Sequence, residues 1–183
     1  MNGTVTIVES TRPSTVATSR VERAWQVLHD VLDPEVPALS IVDLGIVRDV
    51  VERGTGSLEI VLTPTYSGCP ATEAIETAAL AAIDEAGLGP AHVALRRAPA
   101  WSSDWISDDG RRKLRDYGIA PPAHLSTDVG SARPLRFVPR AGPACPRCGS
   151  ASTERLSAFG STACKALHRC LACREPFEHF KPI

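Results

Sequence analysis

Apolar residues recur with two different periods over the first hundred positions. Val21, Trp25, Leu28 and Leu32 follow one another at spacings of 4, 3 and 4, the stripe of an amphipathic helix that begins at Arg20. Asp33-Pro34 stops it, because the proline ring disfavours helical geometry at the residue before. Residues 41–51 carry the β-branched Val47, Val50 and Val51 of a strand after a Leu44-Gly45 break. Leu58, Ile60 and Leu62 alternate with Glu59 and Val61, a period of two that predicts a second strand. The loop Arg53-Gly54-Thr55-Gly56 between them makes a hairpin. Pro70 suits the first turn of a further helix, where its missing N–H costs nothing. Ile75, Ala78, Ala79, Ala82, Ile83 and Ala86 give that helix one apolar face, and Gly87 is its natural stop. Residues 92–96 form a short third strand. The order α-β-β-α-β predicts an α+β fold: a small three-stranded sheet with helices on one face.

After residue 98 the pattern changes. Residues 99–106 hold two of the three tryptophans. A short helix is predicted from Ser107 to about Tyr117, with Asp108 and Asp109 in its first turn, basic residues later and Gly118 behind it, a charge order that suits the helix dipole. Pro121-Pro122 end it, and the proline-rich stretch towards Pro143 reads as an extended linker. Residues 1–19, rich in Ser and Thr without a helical period, read as a flexible lead-in. Four segments are therefore expected: 1–19, an α+β domain over 20–98, a Trp/Arg helix with linker over 99–142, and a small module over 143–183.

Composition sharpens this division. Of 183 residues, 43 % are hydrophobic, enough for a core and too many for a wholly disordered chain. No apolar run approaches the ~20 residues that span a bilayer, and the start lacks a secretion signal. A soluble, cytoplasmic protein with no membrane partner is expected. The net charge of −1 hides an asymmetry: 7 Lys and Arg face 13 Asp and Glu in residues 1–100, while 13 face 8 in the remainder. Opposite charges suggest modules with different contacts.

Five of the six cysteines fall in the last 39 residues. Cys145-Pro-Arg-Cys148 and Cys170-Leu-Ala-Cys173 can each fold as a knuckle, and two knuckles complete a tetrahedral four-sulfur metal site. The tail needs one. It has few large apolar groups, ordering costs ~1–2 kcal/mol per residue, and a structural Zn²⁺ supplies roughly 10–16 kcal/mol. Zn²⁺ on a zinc-ribbon-like module is the expected cofactor, with an iron–sulfur cluster as the alternative. Cys164 is spare and reads as a small buried apolar residue. Such ribbons often bind nucleic acid, but the tail's 6 basic and 3 acidic residues make too weak a basic footprint for that.

Cys69 lies just before the second predicted helix, where unsatisfied N–H groups favour a thiolate. Thr63, Thr65, Tyr66 and Ser67 bring hydroxyls to the same loop, and Glu35 and Asp43 sit in loops at the same end of the sheet. No histidine is near in sequence to act as base for a thiol enzyme. The plain alternatives are a helix cap for Cys69 and turn chemistry for the carboxylates, Asp33 above all. Trp101, Trp105, Arg111 and Arg115 form a candidate partner surface, because Trp and Arg are enriched at interface hot spots; the competing reading has both tryptophans packing their helix onto the sheet.

These segments resemble known families. Asp33-Pro34-Glu35, Asp43-Leu44-Gly45 and the run from Thr63 to Cys69-Pro70 are similar to the small domain of iron–sulfur cluster assembly factors of the SufT-like and MIP18-type kind. Residues 99–106, 117–122 and 159–167, together with the four-cysteine tail and Glu175-Pro176-Phe177-Glu178, resemble the PaaD (PaaJ) family. That family comprises small subunits associated with the bacterial phenylacetyl-CoA ring-epoxidising monooxygenase. The resemblance spans about residues 20–183. It implies an accessory, non-catalytic role in aerobic phenylacetate degradation, assisting iron or iron–sulfur cluster assembly with Cys69 as a transient ligand. The implied partners are the other epoxidase subunits or iron–sulfur assembly proteins; the oligomeric state is left open. The chain has no paired Glu-x-x-His motifs for a di-iron site and no glycine-rich dinucleotide loop. The alternatives are a nucleic-acid-binding zinc ribbon, which would bind with a steep salt dependence, and a thiol enzyme, which would lose turnover on Cys69→Ser with its metal intact.

Overall fold

Helix α1 (Arg20–His29) begins where the Ser19 hydroxyl accepts the Glu22 N–H at 3.1 Å and the Glu22 carboxylate accepts the Ser19 N–H at 2.7 Å. This capping box satisfies two otherwise orphaned donors. The computed structural model of the chain describes residues 19–54, 56–66, 68–124 and 142–183. The expected lead-in up to residue 18, residues 125–141 of the linker, Thr55 of the hairpin loop and the candidate residue Ser67 lie outside the described residues.

Strands β1 (Val47–Glu52) and β2 (Leu58–Leu62) pair antiparallel, and β3 (Ala91–Leu95) adds in parallel to β2 across helix α2 (Thr72–Glu85), in the order β1-β2-β3. The helices pack on each other and on the sheet, burying Leu28, Ile60, Ile75, Ala79 and Ile83. Two expected boundaries shift. The strand expected from Ile41 begins at Val47, because the chain at 41–45 turns back and its amides bond locally, Ile41 N–H to the Val31 carbonyl and Gly45 N–H to the Val42 carbonyl, both at 2.9 Å. Helix α2 starts at Thr72 rather than Pro70; Thr72 N–H donates to the Cys69 carbonyl at 3.2 Å.

Asp43-Leu44-Gly45 seats the segment after β3. The Leu44 carbonyl accepts the Trp101 indole N–H at 2.9 Å, and the Asp43 carbonyl accepts the Ser107 N–H at 2.9 Å. Gly45 has φ +67°, and a Cβ there would lie 2.6 Å from the Trp105 carbonyl oxygen, so only glycine lets the two backbones meet. Helix α3 (Asp108–Tyr117) is capped by the Ser107 hydroxyl, which accepts the Gly110 N–H at 2.9 Å, and ends at Gly118 in the left-handed region.

The last strands are β4 (Ile119–Ala120), β5 (Thr153–Ser157), β6 (Lys165–Cys170) and β7 (Pro176–Phe180), in the order β4-β7-β6-β5. β4 runs parallel to β7 and the other pairs are antiparallel. Residues 119–120, expected in a linker, are thus an edge strand of the ribbon. Phe180 and Cys164, 1 % and 4 % exposed, belong to the same apolar core as Leu28, Leu44 and Ile60. The Ser103 N–H donates to the Ile183 carbonyl at 3.0 Å, and the Ile183 N–H donates to the Ser103 hydroxyl at 3.2 Å. No helix among the described residues is long and apolar enough to cross a membrane.

Candidate metal centre and thiol pocket

Each C-x-x-C of the ribbon closes as a turn whose next residue is left-handed: Gly149 at φ +75° and Arg174 at φ +67°. The Gly149 N–H returns to the Cys145 carbonyl at 2.9 Å, and the Cys173 N–H points at the Cys170 sulfur at 3.5 Å. The Sγ atoms of Cys145 and Cys173 are 3.8 Å apart, those of Cys148 and Cys170 are 3.6 Å apart, and all four lie within 4.8 Å of one another. Sulfurs ~2.3 Å from a tetrahedral ion stand just under 4 Å apart along each edge. The residues present therefore fit a four-thiolate metal. The electrostatics agree. A backbone N–H from Cys173 draws the Cys170 thiol down to about 6, whereas at Cys173 a Glu175 backbone N–H that favours the thiolate is outweighed by partial desolvation and by the three neighbouring sulfurs, which push it up to about 12. Crowded thiols cannot all ionise without a cation among them.

A second site forms where the ribbon meets the α+β domain. Cys69, half-buried on the loop before α2, lines a cavity of about 20 Å³ with Asp33, Glu35, Thr65, Thr72 and Cys164. Such a volume holds one water or one ion. Asp33 keeps its expected turn role, its Oδ1 accepting the N–H groups of Glu35 at 2.9 Å and Val36 at 2.7 Å. Burial raises the pKa of Asp33 against those hydrogen bonds; burial and then Asp33 raise that of Glu35. The Tyr66 phenol is pushed up to about 12 by burial, then by Cys69, Glu35 and Cys164. Lys165, 3 % exposed, bonds Glu178 at 3.0 Å and reaches the Glu35 carbonyl at 3.4 Å.

Not every candidate comes to this pocket. Asp43 is buried beneath α3, accepting from Lys113 Nζ at 2.7 Å and the Ser107 hydroxyl at 3.0 Å. Burial opposes its charge, yet Lys113, Ser107 and Ser40 outweigh it and hold the carboxyl below its ordinary value. It fastens α3 rather than lining the thiol cavity. Thr63 is buried with its N–H on the Ile46 carbonyl at 2.8 Å and faces a different groove, beside Arg97 and Trp101.

The candidate partner surface also divides. Trp101 is interior, its ring 6.0 Å from that of Phe180, and Arg111 is 6 % exposed, donating to the carbonyls of Ser103 at 2.7 Å and Pro122 at 2.5 Å. These two are corrected from surface to interior: the Leu44 carbonyl takes the Trp101 indole N–H, and the Ser103 and Pro122 carbonyls take the Arg111 Nη donors. Trp105 is half-buried under the Arg48 guanidinium, 3.6 Å from the ring centroid, and Arg115 is exposed. Cys164 is buried in the apolar core, as expected of a small apolar residue, but that it also lines the thiol cavity, and that Lys165 next to it reaches the Glu35 carbonyl, were missed. Their signal lay in the tail's shortage of large apolar groups, which already implied that the ribbon leans on something else.

With this geometry in place, the comparisons decide the family. Residues 22–94 match the model described as iron-sulfur cluster assembly protein, and residues 135–181 match that of the PaaD zinc beta ribbon domain. An Escherichia coli protein provisionally named as a 1,2-phenylacetyl-CoA epoxidase subunit is 47 % identical over 172 residues, covering 94 % of this chain and 99 % of its own. The chain belongs to the PaaD family of epoxidase subunits. A Porphyromonas gingivalis Fe-S protein maturation auxiliary factor is 28 % identical over 90 residues, covering 49 % of this chain and 85 % of its own. A solved domain of unknown function from Bacillus anthracis is 26 % identical, covers 52 % of this chain and 91 % of its own, and superposes with a TM-score of 0.49. This chain thus joins a segment that matches the iron–sulfur assembly family to one that matches the zinc β-ribbon family, and the two share one core.

Proposed function

We propose that this PaaD-family chain is a non-catalytic cytoplasmic accessory subunit that helps to mature the phenylacetyl-CoA epoxidase system. It handles iron or an iron–sulfur cluster transiently at Cys69. The observation that carries this reading is the thiol pocket itself, whose Cys69, Asp33 and Glu35 come from the segment matching the assembly family while Cys164 and Phe180 of the ribbon close it. Its donors are looser than those of the ribbon: among the described residues, the four ribbon cysteines are the set whose ligand atoms lie within 4.8 Å of one another. A closed four-thiolate site retains its ion, and we assign it a resident Zn²⁺ of structural role. An open pocket with fewer ready ligands releases its cargo. The partners are other epoxidase subunits or iron–sulfur assembly proteins, to which such cargo would pass.

The test is Cys69→Ala in cells grown on phenylacetate. The variant is expected to keep its fold and one zinc per chain while the epoxidase loses most of its activity and its iron. Normal activity with full iron loading would return Cys69 to a plain loop residue.

A further inference from the structure

We propose that Arg48, Arg96 and Arg97, with the groove that opens beside the Cys69 loop, dock an acidic segment of a partner protein. The inference rests on the maturation reading above and names the kind of partner that comes to that site. Sheet register brings the three arginines to one end of the α+β domain. The Arg96 N–H donates to the Leu62 carbonyl at 2.8 Å, and Leu62 pairs with Val47, the residue before Arg48. Arg97 follows, and lines a groove of about 130 Å³ with Thr63, Thr65, Tyr66 and Trp101. Thr65 lines the thiol cavity as well, so the groove lies against the wall of the pocket that holds Cys69.

Charge decides the partner. Residues 1–100 hold 7 Lys and Arg against 13 Asp and Glu, and three of those seven gather here. Arg20 and Arg53 of the same half are spent on Glu52 and Glu59. Arg48, Arg96 and Arg97 are exposed, and no carboxylate among the described residues pairs with them. Arg48 lies over the Trp105 ring, 3.6 Å from its centroid, and burial, then the charge of Arg96, lowers its pKa. A cleft rimmed by one sign of charge focuses its field and draws in the opposite sign. A guanidinium held over an aromatic ring keeps N–H donors in its plane for a carboxylate, and Arg, Trp and Tyr are the residues on which interface energy concentrates. The rest of this half is acidic and repels a polyanion as extended as a nucleic acid, whereas a short acidic stretch meets the arginines alone. The chain does not supply that stretch from its remaining segments: Glu9 and Arg12 cancel in residues 1–18, and Arg133, Arg136 and Arg140 outnumber Asp128 in residues 125–141.

Fluorescence anisotropy of a labelled octapeptide alternating Glu and Leu tests this on the full chain, with the Gln-and-Leu octapeptide as its neutral counterpart. The wild type is expected to bind the acidic peptide at least about tenfold more tightly than the neutral one, and Arg97→Glu to lose about tenfold of that affinity, as loss of a close charge pair does. Arg96→Glu should act in the same direction. Arg23→Glu makes the same change in charge one turn from the Arg20–Glu52 pair, at the opposite end of β1, and should leave the affinity within about twofold at physiological salt. No binding by the wild type, or equal affinity for the two peptides, would overturn the proposal. An equal loss in Arg23→Glu would overturn it too, by reducing the effect to overall charge. Displacement of the peptide by equimolar inorganic phosphate would make this a small-anion site instead, and tighter binding of single-stranded DNA would make it a nucleic-acid surface. Cys69→Ala should bind the peptide as the wild type does, so a failed docking site leaves the maturation reading to its own test by epoxidase activity and iron in cells.

Discussion

At the scale of single residues, Asp43-Leu44-Gly45 shows how a short motif can be read for the wrong task. Its carboxylate suggested a binding loop, but Asp43 holds Lys113 and Ser107, the Leu44 carbonyl holds Trp101, and Gly45 admits the Trp105 backbone. Nothing in a linear pattern shows which later segment a glycine must let pass. The role is testable through Gly45→Ala. A non-glycine residue at positive φ costs roughly 1–2 kcal/mol, and here the added Cβ also meets a backbone oxygen at 2.6 Å. Denaturant midpoints should show a loss above about 2 kcal/mol, whereas Gly118→Ala, at φ +92° in open space, should cost only the backbone share. Equal losses at the two positions would mean that the contact with Trp105 is not tight.

Elements were legible in the sequence where one local signal dominated. The alternation over 58–62 matched β2 over its full span, and the apolar stripe from Val21 and the acidic-to-basic order after Ser107 marked α1 and α3. The knuckles were equally plain, because C-x-x-C spacing is itself the constraint on the site. β4 was not: two residues paired in parallel with a strand nearly sixty positions away carry no local pattern. The ribbon's inner face held another unread feature. His168 stacks on Phe177 with centroids 5.7 Å apart, and His179 meets His168 edge-on at 5.4 Å. Burial, then His168, lowers the His179 pKa to about 4, below its ordinary 6.5, and burial lowers that of His168 as well. Between those two values the unfolded chain binds a proton that the folded chain refuses. Stability must therefore fall as pH drops from about 6.5 towards about 4 and stay level with respect to this group above 6.5. His179→Gln should flatten that slope when unfolding is followed at pH 7.5 and pH 5. A slope as steep as in the wild type would assign the acid sensitivity to other groups.

For the whole molecule, the sequence divided the chain more sharply than the fold does. Opposite net charges and a proline-rich stretch pointed to a ribbon on a linker, yet β4, Trp101 and the final residue Ile183 tie the ribbon back to the α+β domain. Such closure is carried by contacts across some sixty to eighty positions, which neither periodicity nor composition records. Phe180 is its centre, 1 % exposed, with its ring 6.0 Å from that of Trp101 and its side chain on the wall of the thiol cavity. If the modules form one folding unit, weakening this contact must weaken both. Replacing a buried phenylalanine by alanine costs about 3–5 kcal/mol through lost transfer energy and a residual cavity. Phe180→Ala is therefore expected to lower the unfolding midpoint of the α+β domain, reported by Trp25, although that residue lies in α1. The metal content of the ribbon should be unchanged, since the four-cysteine site is built by its own knuckles. A variant whose ribbon loosens while α1 unfolds at its original midpoint would show two independent modules, and Cys164 could then reach the Cys69 pocket only when the ribbon happens to dock.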